Sequence, residues 1–147
     1  MEKTIPLPYM LDFYPLEDEK FTRIHQFFTN LKAGKFTTTK CKNCSSLLWQ
    51  PRVVCPKCHS EDLEWIELPK EGEVFAYTSM VLGAPLGMEK DVPFVIAIVN
   101  LFYGGNEIKL FSRIDDVKYE DMAIGMKVKL KVIELGDGRV FYRFVRA

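Results

Sequence analysis

The stretch Cys41-Lys-Asn-Cys44, followed ten residues later by Cys55-Pro-Lys-Cys58, decides the central part of the fold. These four cysteines are the only ones in the chain of 147 residues. Two Cys-x-x-Cys knuckles at this spacing bring four thiolates to the corners of one tetrahedron, which is the ligand set of a structural zinc ion. Because sulfur fills all four positions, no position remains for water or substrate. The pattern therefore predicts a zinc ribbon whose metal stabilises the fold and takes no part in catalysis.

Disulfides, unrelated buried thiols and an iron site are the alternatives for these cysteines. The first residues, Met1-Glu-Lys-Thr-Ile-Pro6, contain no apolar segment of the length that a secretory signal needs, so an oxidising compartment has no support. Iron accepts the same thiolate set and is the main alternative metal. We expect one structural zinc per chain in a cytoplasmic protein, with Trp49 and Trp65 packed around the metal as its small apolar core.

The composition is that of a folded protein without charge bias. Hydrophobic residues make up 48% of the chain, and the longest apolar stretch, from Val92 to Phe102, is interrupted by Pro93 and Asn100, so no membrane helix is expected. The 20 basic and 20 acidic residues cancel, which argues against a duplex nucleic-acid binder. The charges between residues 35 and 57 are all basic. We interpret them first as compensation for the metal thiolates, and second as a phosphate-binding patch.

The residues before the ribbon predict an apolar arm followed by an amphipathic helix. The helix is expected over Leu16–Lys32, with Gly34 as the residue that ends it. Its apolar stripe at helical spacing consists of Phe21, Ile24, Phe28 and Leu31. Arm and helix either pack on the C-terminal domain or stay partly exposed and bind a partner or an apolar ligand. In the second alternative the partner-binding residues are Phe13, Tyr14, Phe27 and Phe28.

The residues after the ribbon predict five β-strands. A short helical turn at Tyr119–Gly125 separates the third strand from the fourth, and Tyr103-Gly-Gly-Asn106 predicts a hairpin between the second and third. The predicted strands are Val74–Leu82, Pro93–Phe102, Glu107–Arg113, Met126–Leu135 and Arg139–Arg146. This is the outline of a small OB-fold barrel. The predicted domains are an arm and helix over residues 1–34, a zinc ribbon over 35–70 and an OB-fold barrel over 71–147, in a mainly β fold class.

Several short motifs follow one another along the chain in a defined order. They are Leu31-Lys-Ala-Gly34, the two knuckles with Gln50-Pro51-Arg52 ahead of the second, Gly72-x-Val74, Tyr77-Thr78, Pro93-Phe94-Val95-Ile96-Ala97 and Ile124-Gly125-x-Lys127-Val128. This order resembles the family called domain of unknown function 35. The chain departs from the family pattern at Ser45, where glycine is frequent, and at Gln50, where a further proline is frequent.

The resemblance implies a rubredoxin-like zinc ribbon followed by an OB-fold, in an acyl-CoA-associated protein. Members of the family accompany thiolases and hydroxymethylglutaryl-CoA synthases, especially in archaea. The resemblance therefore implies a non-catalytic scaffold or accessory subunit that joins such enzymes or helps to hold the CoA moiety.

Acyl-CoA binding makes specific demands on side chains. The nucleotide end carries about four negative charges and needs several Lys or Arg donors, while the adenine and the acyl arm need apolar surfaces. The candidates are Arg52, Tyr77, Lys109, Phe111, Arg113 and Arg143. The alternative for these cations is the ordinary solvated exterior of a barrel, and Arg113 in particular has acidic neighbours at Asp115 and Asp116 with which to pair.

Independent catalysis has little support in the sequence. The cysteines are all assigned to the metal, neither His25 nor His59 belongs to a catalytic motif, and there is no Gly-rich phosphate loop. The alternative function is single-stranded nucleic-acid binding by an OB-fold, with Phe94, Phe102, Tyr103 and Phe111 as stacking residues. The second strand carries no cation from Pro93 to Tyr103, which favours a core role for its aromatic residues. A bare protein–protein adaptor is the third possibility.

Overall fold

The chain folds into a short helix, a two-stranded ribbon and a five-stranded barrel, as seen in a computed structural model that describes residues 15–85 and 87–147. The elements in order are α1 (His25–Lys32), β1 (Thr37–Cys41), β2 (Leu63–Glu67), β3 (Glu71–Met80), β4 (Phe94–Tyr103), β5 (Asn106–Asp115), a 3-10 turn (Tyr119–Asp121), β6 (Lys127–Glu134) and β7 (Val140–Arg146). The mainly β fold class is confirmed. In the described part of the chain no helix is long and apolar enough to cross a membrane.

The ribbon consists of β1 and β2, which pair antiparallel with Thr37 opposite Glu67 and Cys41 opposite Leu63. The first knuckle begins on the last residue of β1, and the second lies in the long connection to β2. Two strands of five residues bury very little apolar surface of their own. The ribbon therefore depends on the metal and on its contacts with the rest of the chain for stability.

The five remaining strands close into a barrel in the order β3-β4-β5-β7-β6, with β3 pairing with β6. All neighbours are antiparallel except β5 and β7, where Ile114 lies opposite Phe144. Gly104 and Gly105 form the turn between β4 and β5 with φ values of 53° and 82°, as the predicted glycine hairpin requires. Gly72 on β3 passes so close to β4 that a Cβ there would lie 2.6 Å from the Asn100 carbonyl oxygen. The OB-fold prediction is confirmed.

One hydrophobic core joins the three parts of the chain. Phe36, just before β1, is fully buried, and its ring centroid lies 5.3 Å from that of Trp49 in the ribbon and 5.4 Å from that of Tyr142 in the barrel. The rings of Phe27 on α1 and Phe144 on β7 lie 6.1 and 6.0 Å away. This aromatic cluster is where helix, ribbon and barrel meet.

The helix is shorter than the sequence predicts, because residues 18–24 form turns. The carbonyl of Asp18 accepts the N–H groups of Phe21 and Thr22, and the Thr22 hydroxyl accepts the N–H of Ile24. Hydrogen bonds from short polar side chains to the backbone two residues away compete with helix formation. As a result Phe21, predicted on the apolar stripe of the helix, precedes α1 and is 51% exposed.

The side chain of Glu17 is drawn inward to the start of β7. Its two carboxylate oxygens accept the N–H of Val140 at 3.0 and 3.1 Å, and the residue is buried. Burial raises the pKa of this carboxyl, while the Val140 hydrogen bond opposes the rise. This contact spans more than a hundred residues of sequence and holds the chain before α1 against the barrel.

Three predictions about aromatic residues are corrected by the packing. Phe27 and Phe28 are 3% and 4% exposed in the core, so their side chains are not available to a partner. Trp49 packs against Phe36 instead of the metal, and Trp65 is exposed on β2. The apolar neighbours of the cysteines are Leu48 and Leu63. Phe13 and Tyr14 lie outside the described residues.

Candidate functional site

The four cysteines form a compact cluster at one end of the ribbon. Their sulfur atoms all lie within 4.8 Å of one another, with Cys41 and Cys58 at 3.5 Å and Cys44 and Cys55 at 3.6 Å. A tetrahedral zinc site with Zn–S bonds of about 2.3 Å has sulfur–sulfur edges of about 3.8 Å. The cluster therefore fits one tetrahedral metal ion with small adjustments.

The two knuckles have the same backbone geometry. In each, the N–H of the first cysteine donates to the carbonyl five residues later, Ser46 in one knuckle and Ser60 in the other, at 2.9 Å in both. The residue after the second cysteine, Ser45 or His59, has a φ of 61°. Glycine adopts this conformation without a steric penalty from Cβ.

Hydrogen bonds lower the pKa of two of the four thiols. Hydrogen bonds with the side chain and backbone of Ser46 lower the pKa of Cys44 to about 6, and a hydrogen bond from the Asn43 side chain lowers that of Cys58. For Cys41 the N–H of Cys44 acts to lower the pKa, but burial and the neighbouring thiols outweigh it and raise the pKa to about 11. Since the metal binds thiolates, it must displace the proton of Cys41 when it enters.

Half-exposed aromatic side chains cover the outer surface of β3, β4 and β5. Phe75, Phe102 and Phe111 are 51%, 50% and 60% exposed, and we call this surface the aromatic face. Phe75 follows the buried Val74 on β3 and therefore lies on the outer side, within a β-bulge between Val74 and Ala76. The Lys109 ammonium reaches across β4 to lie 4.9 Å from the centroid of the Phe75 ring, so the surface is continuous across the three strands.

The predicted ligand cations of β5 are neutralised by carboxylates. Lys109 pairs with Glu107 at 3.0 Å. Arg113 pairs with Asp91 at 2.8 Å and stacks on the Phe94 ring with its guanidinium carbon 4.3 Å from the centroid. These contacts fix both side chains within the protein.

Three cationic side chains surround the carboxylate of Asp115 at the end of β5. Arg113, Lys131 and Arg143 lie 3.5, 3.4 and 3.2 Å from it. The expected pairing of Arg113 with Asp115 is thus present, and Arg143 is held in the same network.

Arg52 lies apart from these residues, on the edge of an open groove of about 450 Å³. Residues 21–24, before and at the start of α1, line one side, and residues 51–54, ahead of the second knuckle, line the other. We call this the helix–ribbon groove. Arg23 and Arg52 are both exposed in it.

Comparison with known proteins shows to which family the chain belongs. Family descriptions of the ChsH2 rubredoxin-like zinc ribbon domain and the ChsH2 C-terminal OB-fold domain match residues 29–64 and 65–132. A DUF35 domain-containing scaffold protein of Methanocaldococcus jannaschii is 38% identical over 112 residues, which are 71% of this chain and 77% of that protein. This chain belongs to the DUF35 family. The resemblance inferred from the motifs is confirmed.

Two further proteins that resemble this DUF35 protein have enzyme names. A solved structure described as the Ltp2-ChsH2(DUF35) aldolase is 25% identical, with a TM-score of 0.69 over 82% of this chain and 91% of that chain. A probable enoyl-CoA hydratase alpha subunit of Thermomonospora curvata is 28% identical over 108 residues. The matched part is 74% of this DUF35 chain but 32% of the hydratase subunit, so the similarity concerns one portion of that protein.

The metal site of this DUF35 protein is the zinc ribbon site that the cysteine spacing predicts. Cys41, Cys44, Cys55 and Cys58 are the residues that would hold the ion. With four sulfur ligands, zinc would supply cross-linking of the ribbon and no open position for chemistry. The family pattern favours glycine at the position of Ser45. The backbone of Ser45 is in the left-handed conformation, which glycine adopts without a steric penalty.

Tyr77, another predicted ligand residue, is used inside the barrel. Its hydroxyl donates to the Met122 carbonyl at 3.1 Å, and its ring lies 5.5 Å from that of Tyr119 in the 3-10 turn. These contacts connect β3 of the DUF35 barrel with the 3-10 turn. Sequence reasoning missed Arg23 and Phe75, because Arg23 looked like an ordinary polar helix residue and Phe75 looked like one more apolar residue of its strand.

Strong alkali is expected to destabilise the protein through Tyr142. Its hydroxyl donates to the Phe111 carbonyl at 3.0 Å, and burial raises its pKa to about 12 from the usual 10.0. Below pH 10 both states keep the proton. Above pH 10 the unfolded chain ionises first, so stability falls by up to about 1.4 kcal/mol per pH unit until the folded pKa is reached.

Urea unfolding of the wild type and of Tyr142→Phe, from pH 8 to pH 11, measures this effect. The variant should lose about 1 kcal/mol at pH 8 from the missing hydrogen bond, and should show a smaller fall in stability above pH 10. Tyr119→Phe, at an exposed tyrosine, is the control and should follow the wild type. Equal slopes for all three proteins would contradict the assignment.

Proposed function

We propose that this DUF35 protein is a non-catalytic scaffold subunit for acyl-CoA enzymes of the thiolase and hydroxymethylglutaryl-CoA synthase type, and that it helps to hold the CoA moiety. The observation that carries the proposal is the aromatic face, an exposed apolar surface on a barrel whose core is complete without it. The M. jannaschii relative is named a scaffold protein, and the solved structure pairs a DUF35 chain with an aldolase in its description. Both support a subunit that works by binding an enzyme.

A non-catalytic role agrees with the use of the reactive side chains in the described ranges. The four thiols lie together at the metal site. The hydroxyls of Tyr77 and Tyr142 donate to backbone carbonyls, and Arg113 and Arg143 pair with Asp115. Groups committed to structural contacts are not free to act as nucleophiles, acids or bases.

The aromatic face has the properties of a protein-docking surface. Phe111 lies opposite Ile98, and Ile98 lies opposite Ala76 on the next strand, so apolar side chains continue between the exposed rings. Contiguous exposed apolar patches are uncommon on monomeric proteins and mark binding sites, and aromatic residues are enriched at the centres of interfaces. The half-exposed rings would become fully buried under a partner.

Nucleic-acid binding is less favoured at this face. Single-stranded nucleic acid needs stacking rings together with free cations that follow the phosphates. Here Lys109 is paired with Glu107 and Arg113 with Asp91. The charge that a nucleic acid would require is therefore already neutralised, whereas a protein surface can cover such pairs.

Replacing Phe111 by Asp is expected to abolish docking without unfolding the protein. A charge placed in the centre of a dry interface should weaken association at least about 30-fold, as expected for a hot-spot residue. Because Phe111 is 60% exposed, the melting temperature should change by only a few degrees. The measurement is co-elution and affinity with the thiolase and synthase subunits encoded in the same source, co-expressed with the full chain.

Trp65→Asp, which places the same charge on an exposed ribbon aromatic, is the matched control and should keep the complex. A Phe111→Asp protein that co-elutes as well as the wild type would remove the aromatic face from the proposal. A wild-type chain that associates with neither enzyme would end the proposal itself.

A further inference from the structure

We infer that the helix–ribbon groove binds the phosphorylated nucleotide end of CoA, with Arg23 and Arg52 on the phosphates and Phe21 beside the adenine. The inference rests on the proposed function and assigns it a binding site. It also moves the ligand site away from the predicted cations Lys109, Arg113 and Arg143, and keeps the predicted cation Arg52.

The arginine and lysine side chains differ in whether a carboxylate already pairs with them. Lys109, Arg113 and Arg143 are each held by a carboxylate within 3.2 Å. Arg23 and Arg52 have no ion pair or side-chain hydrogen bond within residues 15–85 and 87–147. An anionic ligand would have to break an existing pair at the first three residues, but at the two groove arginines it would meet unpaired guanidinium groups.

The charge of the groove lining suits an anionic ligand. The lining, residues 21–24 and 51–54, contains two arginines and no acidic residue. Guanidinium presents several N–H donors in a planar fork that matches phosphate oxygens, and this makes arginine the preferred residue for phosphate recognition. Two guanidinium groups in one groove can bind two phosphates of the same nucleotide, whereas a ligand with a single carboxylate would occupy only one of them.

The groove also has an apolar part that can hold the adenine. The Phe21 ring is 51% exposed, and Val53 and Val54 continue the apolar lining on the opposite side. Nucleic-acid bases stack favourably on exposed aromatic side chains. The groove volume of about 450 Å³ falls within the range of roughly 300–1,000 Å³ that small-molecule sites occupy. The turns that shorten α1 are what expose Phe21 here instead of burying it on the helix.

Both sides of the groove are fixed by backbone contacts. The N–H of Arg52 donates to the hydroxyl of Thr39, a buried residue of β1, at 2.9 Å. The N–H groups of Phe21 and Thr22 donate to the Asp18 carbonyl. The ribbon side continues directly from Val54 into Cys55, so the metal also holds this side in place. A preformed groove avoids the entropic cost of ordering loops when the ligand binds.

The test uses the zinc-loaded full chain and isothermal titration with CoA, adenosine 3′,5′-bisphosphate, pantetheine and inorganic pyrophosphate. We expect saturable binding of CoA and of the bisphosphate, and much weaker binding of pantetheine and pyrophosphate. Arg23→Ala and Arg52→Ala should each raise the Kd for both nucleotides about tenfold or more, since each removes charge-assisted hydrogen bonds. Phe21→Ala should raise the Kd severalfold. Arg146→Ala, at an exposed arginine on β7, is the matched control and should bind as the wild type does.

Several results would overturn the inference. They are no saturable CoA binding by the wild-type chain, pyrophosphate binding as tight as that of the nucleotides, or unchanged affinities in both groove variants. Tighter binding of a single-stranded oligonucleotide than of CoA, abolished by Arg52→Ala, would assign the groove to nucleic acid instead. Co-elution of the groove variants with the enzymes separates the two proposals: if it persists while nucleotide affinity is unaffected, the scaffold role stands and the groove assignment fails.

Discussion

Removal of the metal is expected to unfold the ribbon and to cost the protein most of its stability. Apparent binding free energies of structural zinc are about 10–16 kcal/mol in small zinc domains, as large as the whole stability of a typical domain. Here Phe36 and Trp49 lie on the ribbon side of the shared aromatic cluster, so loss of the ribbon also removes part of the core of the helix and barrel. Cys55→Ser should therefore bind less than one metal ion per chain and melt well below the wild type.

Metal content by mass spectrometry and thermal unfolding by circular dichroism measure this prediction, together with titration of the wild type by a strong chelator. Cys55 is fully buried, so a serine there cannot be compensated from the surface. Lys57→Ser changes an exposed residue of the same knuckle and should keep both the metal and the melting temperature. A metal-free wild-type chain with an unchanged melting temperature would show that the four thiols are not a structural metal site.

Phe36→Ala is expected to be the most damaging single core substitution. The ring is fully buried and contacts aromatic residues of helix, ribbon and barrel, so its loss leaves a cavity that no single element can collapse to fill. Large-to-small changes of this kind cost about 3–5 kcal/mol. Denaturant unfolding should show a much lower midpoint, and the ribbon should lose protection from proteolysis before the barrel does.

The matched control for that substitution is Phe102→Ala. It removes the same number of atoms from a ring that is 50% exposed on the aromatic face, and should cost less than about 1 kcal/mol. Similar losses for the two variants would mean that the aromatic cluster does not join the three parts of the chain.

The local patterns were good predictors of local structure. The knuckle spacing identified the metal ligands because two ligands from each short loop must reach one ion. The Gly104-Gly105 turn identified the β4–β5 hairpin because positive φ at both turn residues is cheap only for glycine. Alternation and apolar runs placed the five barrel strands to within a few residues.

The start of α1 could not be read from its apolar stripe. The stripe from Phe21 to Leu31 has helical spacing, but Glu17 is bound to Val140 and the backbone after Asp18 closes into turns. The partner of Glu17 lies at the other end of the chain, so a window of neighbouring residues contains no sign of it. The same long-range packing buries Phe27 and Phe28, which the helix pattern alone left open between core and docking surface.

The sequence by itself determined the metal ligands, the hairpin and the order of helix, ribbon and barrel, because these depend on residues close together in the chain. Only the tertiary structure decided which cations are free. Lys109, Arg113 and Arg143 are ligand candidates by residue type, yet folding places carboxylates beside them, while Arg23 and Arg52 line one groove without such partners. Coulombic attraction depends on distance in space. The folded structure therefore determines which residues neutralise a given charge.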